Sequence, residues 1–135
     1  MAANVTFKLA LYSSDLQTDV LNLSITNTLS SATQGGFLRA DIDPTASTGI
    51  KIADQDSFTN TSKVYLYNAS TNSGAASRIF ISFDAGATAH MVLEAGEWAL
   101  VPWTGNLCPK AADRLDIHVW AQTEFNTLEY GVFDV

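Results

Sequence analysis

One cysteine, three prolines, two histidines and only 16% charged residues are spread over 135 positions, and each scarcity removes a class of protein. A lone thiol, Cys108, cannot close a bridge within the chain and has no partner at metal-ligand spacing. Neither a disulfide framework nor a zinc site is therefore expected. Cys108 itself is expected as a buried or half-buried inert thiol. Basic residues are few, 7 against 14 acidic ones, for a net charge of −7. That balance argues against nucleic acid, which needs a basic face, and against anionic lipid. No apolar run approaches the ~20 residues of a transmembrane helix. The opening MAANVTFKLALY lacks the basic segment, apolar run and small-residue cleavage site of a signal peptide. A chain made and used without secretion is expected, and the Asn-x-Ser/Thr triplets at Asn4, Asn22, Asn60 and Asn68 are then accidents of a Ser/Thr/Asn-rich sequence. Helical spacing, with apolar residues at i, i+3 and i+4, is missing as well.

What remains is a polar-surfaced chain with enough apolar residues, 47%, for a proper core. Its length suits one domain, residues 1–135, with residues 1–15 as an extended arm or edge strand. Period two dominates. In residues 4–12, Val5, Phe7, Leu9 and Leu11 alternate with Thr6, Lys8 and Ala10; Leu21, Leu23 and Ile25 alternate with Asn22, Ser24 and Thr26. Both read as half-buried strands. Short apolar runs follow at residues 37–42 and 49–53, after the break at Gly35-Gly36.

The centre of the pattern is residues 63–103. Val64 and Leu66 oppose Tyr65 and Tyr67, and Ile79, Ile81 and Phe83 oppose Phe80 and Ser82. The small polar run ASTNSGAA at residues 69–76 reads as a hairpin tip between these two strands. Turns at residues 84–87 and at Ala95-Gly96 lead to Met91 and Leu93, then to Trp98 and Trp103, with Pro102 marking a strand end or edge. Residues 110–114 have room for a single helical turn. Leu115, Ile117, Val119 and Ala121 share a face, and a four-residue loop at residues 123–126 is expected to pair them with Leu128, Tyr130 and Val132 in a closing hairpin. Trp120, Phe133 and His118 then fall together on the opposite face. The fold class expected is all-β: an antiparallel β-sandwich or jelly-roll-like barrel of about eight short strands, with little or no helix.

No constellation in this sequence demands an enzyme. His90 and His118 lie in different strands without a Gly-x-Ser-x-Gly elbow, so structural or surface roles are expected. Glu94, Glu97, Glu124 and Glu129 are the carboxylates from which a glycosidase pair would be drawn; surface solubility is the simpler reading. Asp41, Asp43, Asp54 and Asp56 invite calcium but lack the spacing of a calcium loop, and a solvated face is preferred. Gly35-Gly36 has no following lysine and cradles no phosphate. No cofactor and no metal is expected. Trp98, Trp103 and Trp120 suit either a core or subunit contact or the stacking platform of a carbohydrate-binding module.

Residues 63–135 resemble small structural proteins of tailed bacteriophages. The likeness rests on the strand KVYLYN, the segment IFISFDAGATAHMVLEAGEW with its Gly96-Glu97 turn, the aromatic end Pro102-Trp103, and the terminal Glu129-Tyr130 to Phe133 strand. The resemblance implies a non-enzymatic virion component of the head decoration or cement type, a β-rich homo-oligomer, commonly a trimer. Its partners would be the major capsid protein and copies of itself, its place the capsid surface after synthesis in the host cytoplasm. A tail, adaptor or fibre-associated domain is the alternative within the virion. The residues expected to make contacts are Trp98, Trp103, Trp120 and Phe133, with Phe7, Leu9 and Leu11 in the amino-terminal arm.

Overall fold

A computed structural model describes residues 3–13, 21–32, 37–44, 49–58, 62–84, 88–103 and 116–134. They divide into two compact units, Met1–Thr33 and Gln34–Asp134. The expected thiol of Cys108, the helical turn at residues 110–114 and the break at Gly35-Gly36 lie outside the described residues.

The first unit is a hairpin. β1 (Ala3–Ser13) pairs antiparallel with β2 (Leu21–Ala32) in a two-stranded sheet. β1 is one edge of this two-stranded sheet, and residues 21–26, which share its period-two pattern, lie in its partner strand. From Val5 onward the register is regular: Phe7 faces Asn27, Leu9 faces Ile25 and Leu11 faces Leu23. Opposed residues share a face, so Val5, Phe7, Leu9, Leu11, Leu23 and Ile25 line one side. Thr6 and Thr28 hydrogen-bond through their hydroxyls on the other.

Among the described residues the second unit holds eight strands: β3 (Phe37–Ile42), β4 (Ile50–Ala53), β5 (Ser62–Asn68), β6 (Ile79–Ser82), β7 (Met91–Leu93), β8 (Trp98–Trp103), β9 (Ile117–Ala121) and β10 (Asn126–Asp134). They form two antiparallel four-stranded sheets, in the orders β3-β10-β5-β8 and β4-β9-β6-β7. Counted from β3 as the first of eight, the sheets run 1-8-3-6 and 2-7-4-5, the strand order of a jelly roll. The only helical pieces among the described residues are two short 3-10 turns, Gln55–Ser57 and Ala75–Ser77. The all-β expectation therefore holds.

Alternation explains which way each strand faces. Val64, Leu66, Leu128, Val132, Ile42 and Trp103 from the first sheet meet Ile79, Ile81, Leu93, Ile117, Val119 and Ala121 from the second in one core. Side chains on the inner faces of two packed sheets interdigitate over a layer ~10 Å thick. Full burial of each aliphatic side chain favours folding by about 1.5–3 kcal/mol. Pro102 sits in β8, the outermost strand of its sheet, where a missing N–H interrupts no ladder.

Two expected hairpins are absent. Residues 69–76 do not join paired strands, since β5 and β6 belong to different sheets. The loop crosses from one sheet to the other and tightens into the 3-10 turn before β6. The closing hairpin fails likewise: β9 pairs with β4 and β6, whereas β10 pairs with β3 and β5. Ile117, Val119 and Ala121 do turn inward, as do Leu128 and Val132, but the two sets belong to opposite walls of the core. In consequence Trp120 and Phe133 do not share a face; each lies on the outer side of a different sheet. Alternation reports the buried side of a strand and says nothing of its hydrogen-bonded neighbour.

Candidate interaction surfaces

The outer face of the first sheet is aromatic and mixed in charge. Register places Arg39, Glu129, Tyr67 and Trp98 in one row across all four strands, and Phe37, Gly131, Tyr65 and Leu100 in the next. Arg39 and Glu129 form an exposed ion pair at 3.7 Å, and Thr127 Oγ1 donates to Asp41 Oδ1 at 3.1 Å one row further on. Gly131 is buried because larger neighbours close over it. The Phe37 ring meets Tyr65 edge-on at 5.7 Å and Phe133 at 5.3 Å. Phe37 and Trp98 remain 68% and 54% exposed, at opposite edges of the sheet. Partial burial, with Glu129 and Tyr67 nearby, raises the pKa of the Tyr65 hydroxyl and keeps it a neutral donor at physiological pH.

On the outer face of the second sheet, Phe80 and Trp120 are register partners and stack at 5.7 Å with 19° between their planes. Beside them lies a charged group. Lys51 Nζ contacts Asp54 Oδ2 at 2.7 Å and Asp116 Oδ2 at 3.3 Å, and His118 Nε2 lies 4.0 Å from Asp116. The Lys51 ammonium holds Asp54 below the usual carboxylate range, helped by the Asp56 N–H; Asp54 and then Asp116 raise Lys51 in return. Asp116 Oδ1 also accepts from the Gln55 N–H at 2.9 Å, and Asp54 caps the turn at Gln55–Ser57.

His90, Glu94 and Glu97 bond at turns. Ser82 Oγ donates to Asp84, and the Phe83 N–H donates to His90 Nδ1 at 3.1 Å, which puts the ring proton on Nε2, 3.9 Å from Asp84. Glu94 Oε1 accepts from Arg78 Nε at 2.7 Å, tying the β7–β8 turn to the residue before β6, while Glu97 Oε2 accepts the Glu94 N–H at 2.8 Å within that turn. Among the described residues no three His, Cys, Asp or Glu side chains gather at a common metal position.

The Ser82 hydroxyl and the Thr88 N–H hold Asp84 below its usual 3.8. A carboxyl depressed by folding stabilises above its unfolded pKa, and that contribution disappears as pH falls through the folded value. The melting temperature is therefore expected to drop as the pH is taken below about 4. In Asp84→Asn this acid limb becomes shallower; unchanged limbs in a pH series of melting curves would remove Asp84 from the account.

Of the residues expected to make contacts, Trp98 is on the open outer face of the first sheet, and Trp120 is half-buried on that of the second. Phe133 is 3% exposed beneath Phe37. Trp103 is 7% exposed and packs against Phe58 at 5.5 Å, so it belongs to the core. Phe7 and Leu9 are half-buried and Leu11 is 45% exposed in the separate hairpin. Sequence reasoning passed over Phe37 and the Arg39–Glu129 pair. Residues 37–42 were read only as a short apolar run, and the neighbour of that run across the sheet was not visible. No family model, no curated protein and no solved structure matches this chain, so its surfaces are assigned on their own geometry.

Proposed function

We propose that this chain is a non-enzymatic structural protein of a bacteriophage virion, a decoration or cement protein that binds the major capsid protein on the head surface in many copies. The observation that carries the reading is the outer face of the first sheet, where Phe37 and Trp98 stand open at the two edges and tyrosines lie between them. Large aromatic side chains concentrate binding energy at protein contacts, and contacts of modest strength hold firmly when symmetry repeats them. The phage-like pattern of residues 63–135 agrees with this. So does the fold by analogy, since jelly rolls serve in viral capsids as well as in lectins. The test is to locate the chain in purified virions by mass spectrometry and labelled electron microscopy. Abundant copies on the head are expected, with Trp98→Ala lowering occupancy at least about tenfold while the melting temperature holds. Absence from the particle ends the proposal; a few copies on the tail alone would replace it with the tail, adaptor or fibre alternative.

The same face favours one second reading, a carbohydrate-binding module. An exposed indole beside Tyr67 and the Arg39–Glu129 pair offers an apolar platform next to donors and acceptors, the combination a sugar ring needs. Titration with β-linked glucose and N-acetylglucosamine hexasaccharides, followed by tryptophan fluorescence, separates the two. Saturable binding lost in Trp98→Ala supports the module, and its absence leaves the virion proposal alone.

A further inference from the structure

We propose that the β6–β7 loop is a pH-sensitive latch, closed while His90 Nδ1 carries no proton and released when that nitrogen takes one up. His90 fastens the base of the loop twice. Its backbone N–H donates to Ile81 O at 2.9 Å, and its Nδ1 accepts the Phe83 N–H at 3.1 Å. The Phe83 ring, packed against the core, lies 6.0 Å from the imidazole. A second fastening is made by Asp84, whose Oδ1 accepts the Ser82 hydroxyl and, at 2.9 Å, the Thr88 N–H. The two fastenings face each other across 3.9 Å, between Asp84 Oδ2 and His90 Nε2.

Proton chemistry makes the first fastening conditional. A neutral imidazole accepts at one nitrogen and donates at the other, whereas the imidazolium donates at both. Protonated at Nδ1, His90 turns an N–H toward the Phe83 N–H, and that bond is lost. Asp84 attracts the new charge through Nε2, which does nothing for the Phe83 amide. Its carboxylate keeps its charge between pH 5 and 8, where imidazoles ordinarily change theirs, because the Ser82 hydroxyl and then the Thr88 N–H hold it below 3.8. The closed loop needs the Nδ1 lone pair and the released loop does not, so falling pH populates the released form. The change is local: Phe83 loses its hold beside the core, while the β6–β9 ladder stays paired.

Few other charges face the ring. Residues 85–89 of the loop carry no ionisable side chain, and neither do Met91, Val92 and Leu93 of β7. Across β6, His118 of β9 is the register partner of Ser82; it lies 4.0 Å from Asp116, which Lys51 of β4 approaches at 3.3 Å. His118, the second histidine of the chain, is therefore the group to be separated from His90.

The experiment is amide exchange and imidazole nitrogen NMR of the full chain, taken from pH 8 to pH 5. At the upper pH the His90 ring is expected as the Nε2–H tautomer. By the lower pH the protection factor of the Phe83 amide is expected to fall about three- to tenfold, the worth of one hydrogen bond, while the β6–β9 ladder keeps its protection. His90→Asn places an oxygen where Nδ1 stands and takes up no proton, so Phe83 protection stays level in that variant. In His118→Asn the fall persists. The opposite tautomer, level protection in the wild type, a fall shared by the β6–β9 ladder, a fall that survives His90→Asn, or one abolished by His118→Asn each overturns the proposal.

Discussion

Asn68→Leu is expected to destabilise the jelly roll by about 3–5 kcal/mol, lowering the melting temperature by roughly 10–20 °C. Asn68 ends β5 with its side chain fully buried. Its Nδ2 donates to Ser77 O at 2.7 Å and Leu93 O at 3.0 Å, and its Oδ1 accepts the Ser70 N–H at 3.1 Å. Its backbone N–H donates to Glu97 O and its carbonyl accepts from Gly96 N. One residue thus ties the loop that crosses from β5 to β6 and the turn that crosses from β7 back to β8. Leucine fills a similar volume but leaves two buried carbonyls and an amide short of a partner, each at a cost of about 1–3 kcal/mol. Asn68→Asp sharpens the test: its carboxylate would face two carbonyl oxygens and donate to neither. That variant should be at least as damaging at neutral pH and partly recover in acid, where the protonated form can donate one bond. Urea unfolding curves check both. A leucine variant within about 1 kcal/mol of wild type would show that the crossings hold without Asn68.

Gly49→Ala is the second large effect, with an expected loss of about 2–4 kcal/mol. Gly49 precedes β4 with φ +73°, where a β-carbon is strained against the following carbonyl. Space is also lacking: a β-carbon there would sit 2.8 Å from Val119 O and 3.1 Å from Val119 C in the neighbouring strand β9. It would also lie 3.2 Å from Trp120 Cε3. Two of the three obstacles are backbone, so the sheet edge must move and rotamer changes alone cannot relieve the clash. The displaced indole should lose its stack on Phe80, and a change in tryptophan emission should accompany the drop in stability. An alanine variant with wild-type melting and emission would mean that β4 relaxes freely away from β9.

Much of the candidate surface was legible in the chain because alternation is local. Trp98, Leu100 and Pro102 were bound to share one side of β8, and Tyr65 and Tyr67 one side of β5, whatever the neighbours turned out to be. That these residues form one platform with Arg39, Glu129 and Phe37 depends on β10 lying between β3 and β5, and no pattern within any single strand carries that fact. Trp103 shows the complementary failure. It follows Pro102 at the end of an aromatic-rich segment, and only its parity within the finished sheet sends it into the core against Phe58.

The residues by themselves determined the strands, the side each one buries, and an all-β chain without an α-helix among the described residues, because successive side chains of an extended strand point to opposite faces. Only the tertiary structure decided who pairs with whom. Of the seven links between consecutive strands from β3 to β10, six change sheet, and β6–β7 is the single hairpin. A loop that turns back within one sheet and a loop that arches across the core join strands with the same inward-facing residues. The choice between them is made by the packing of the two sheets on each other.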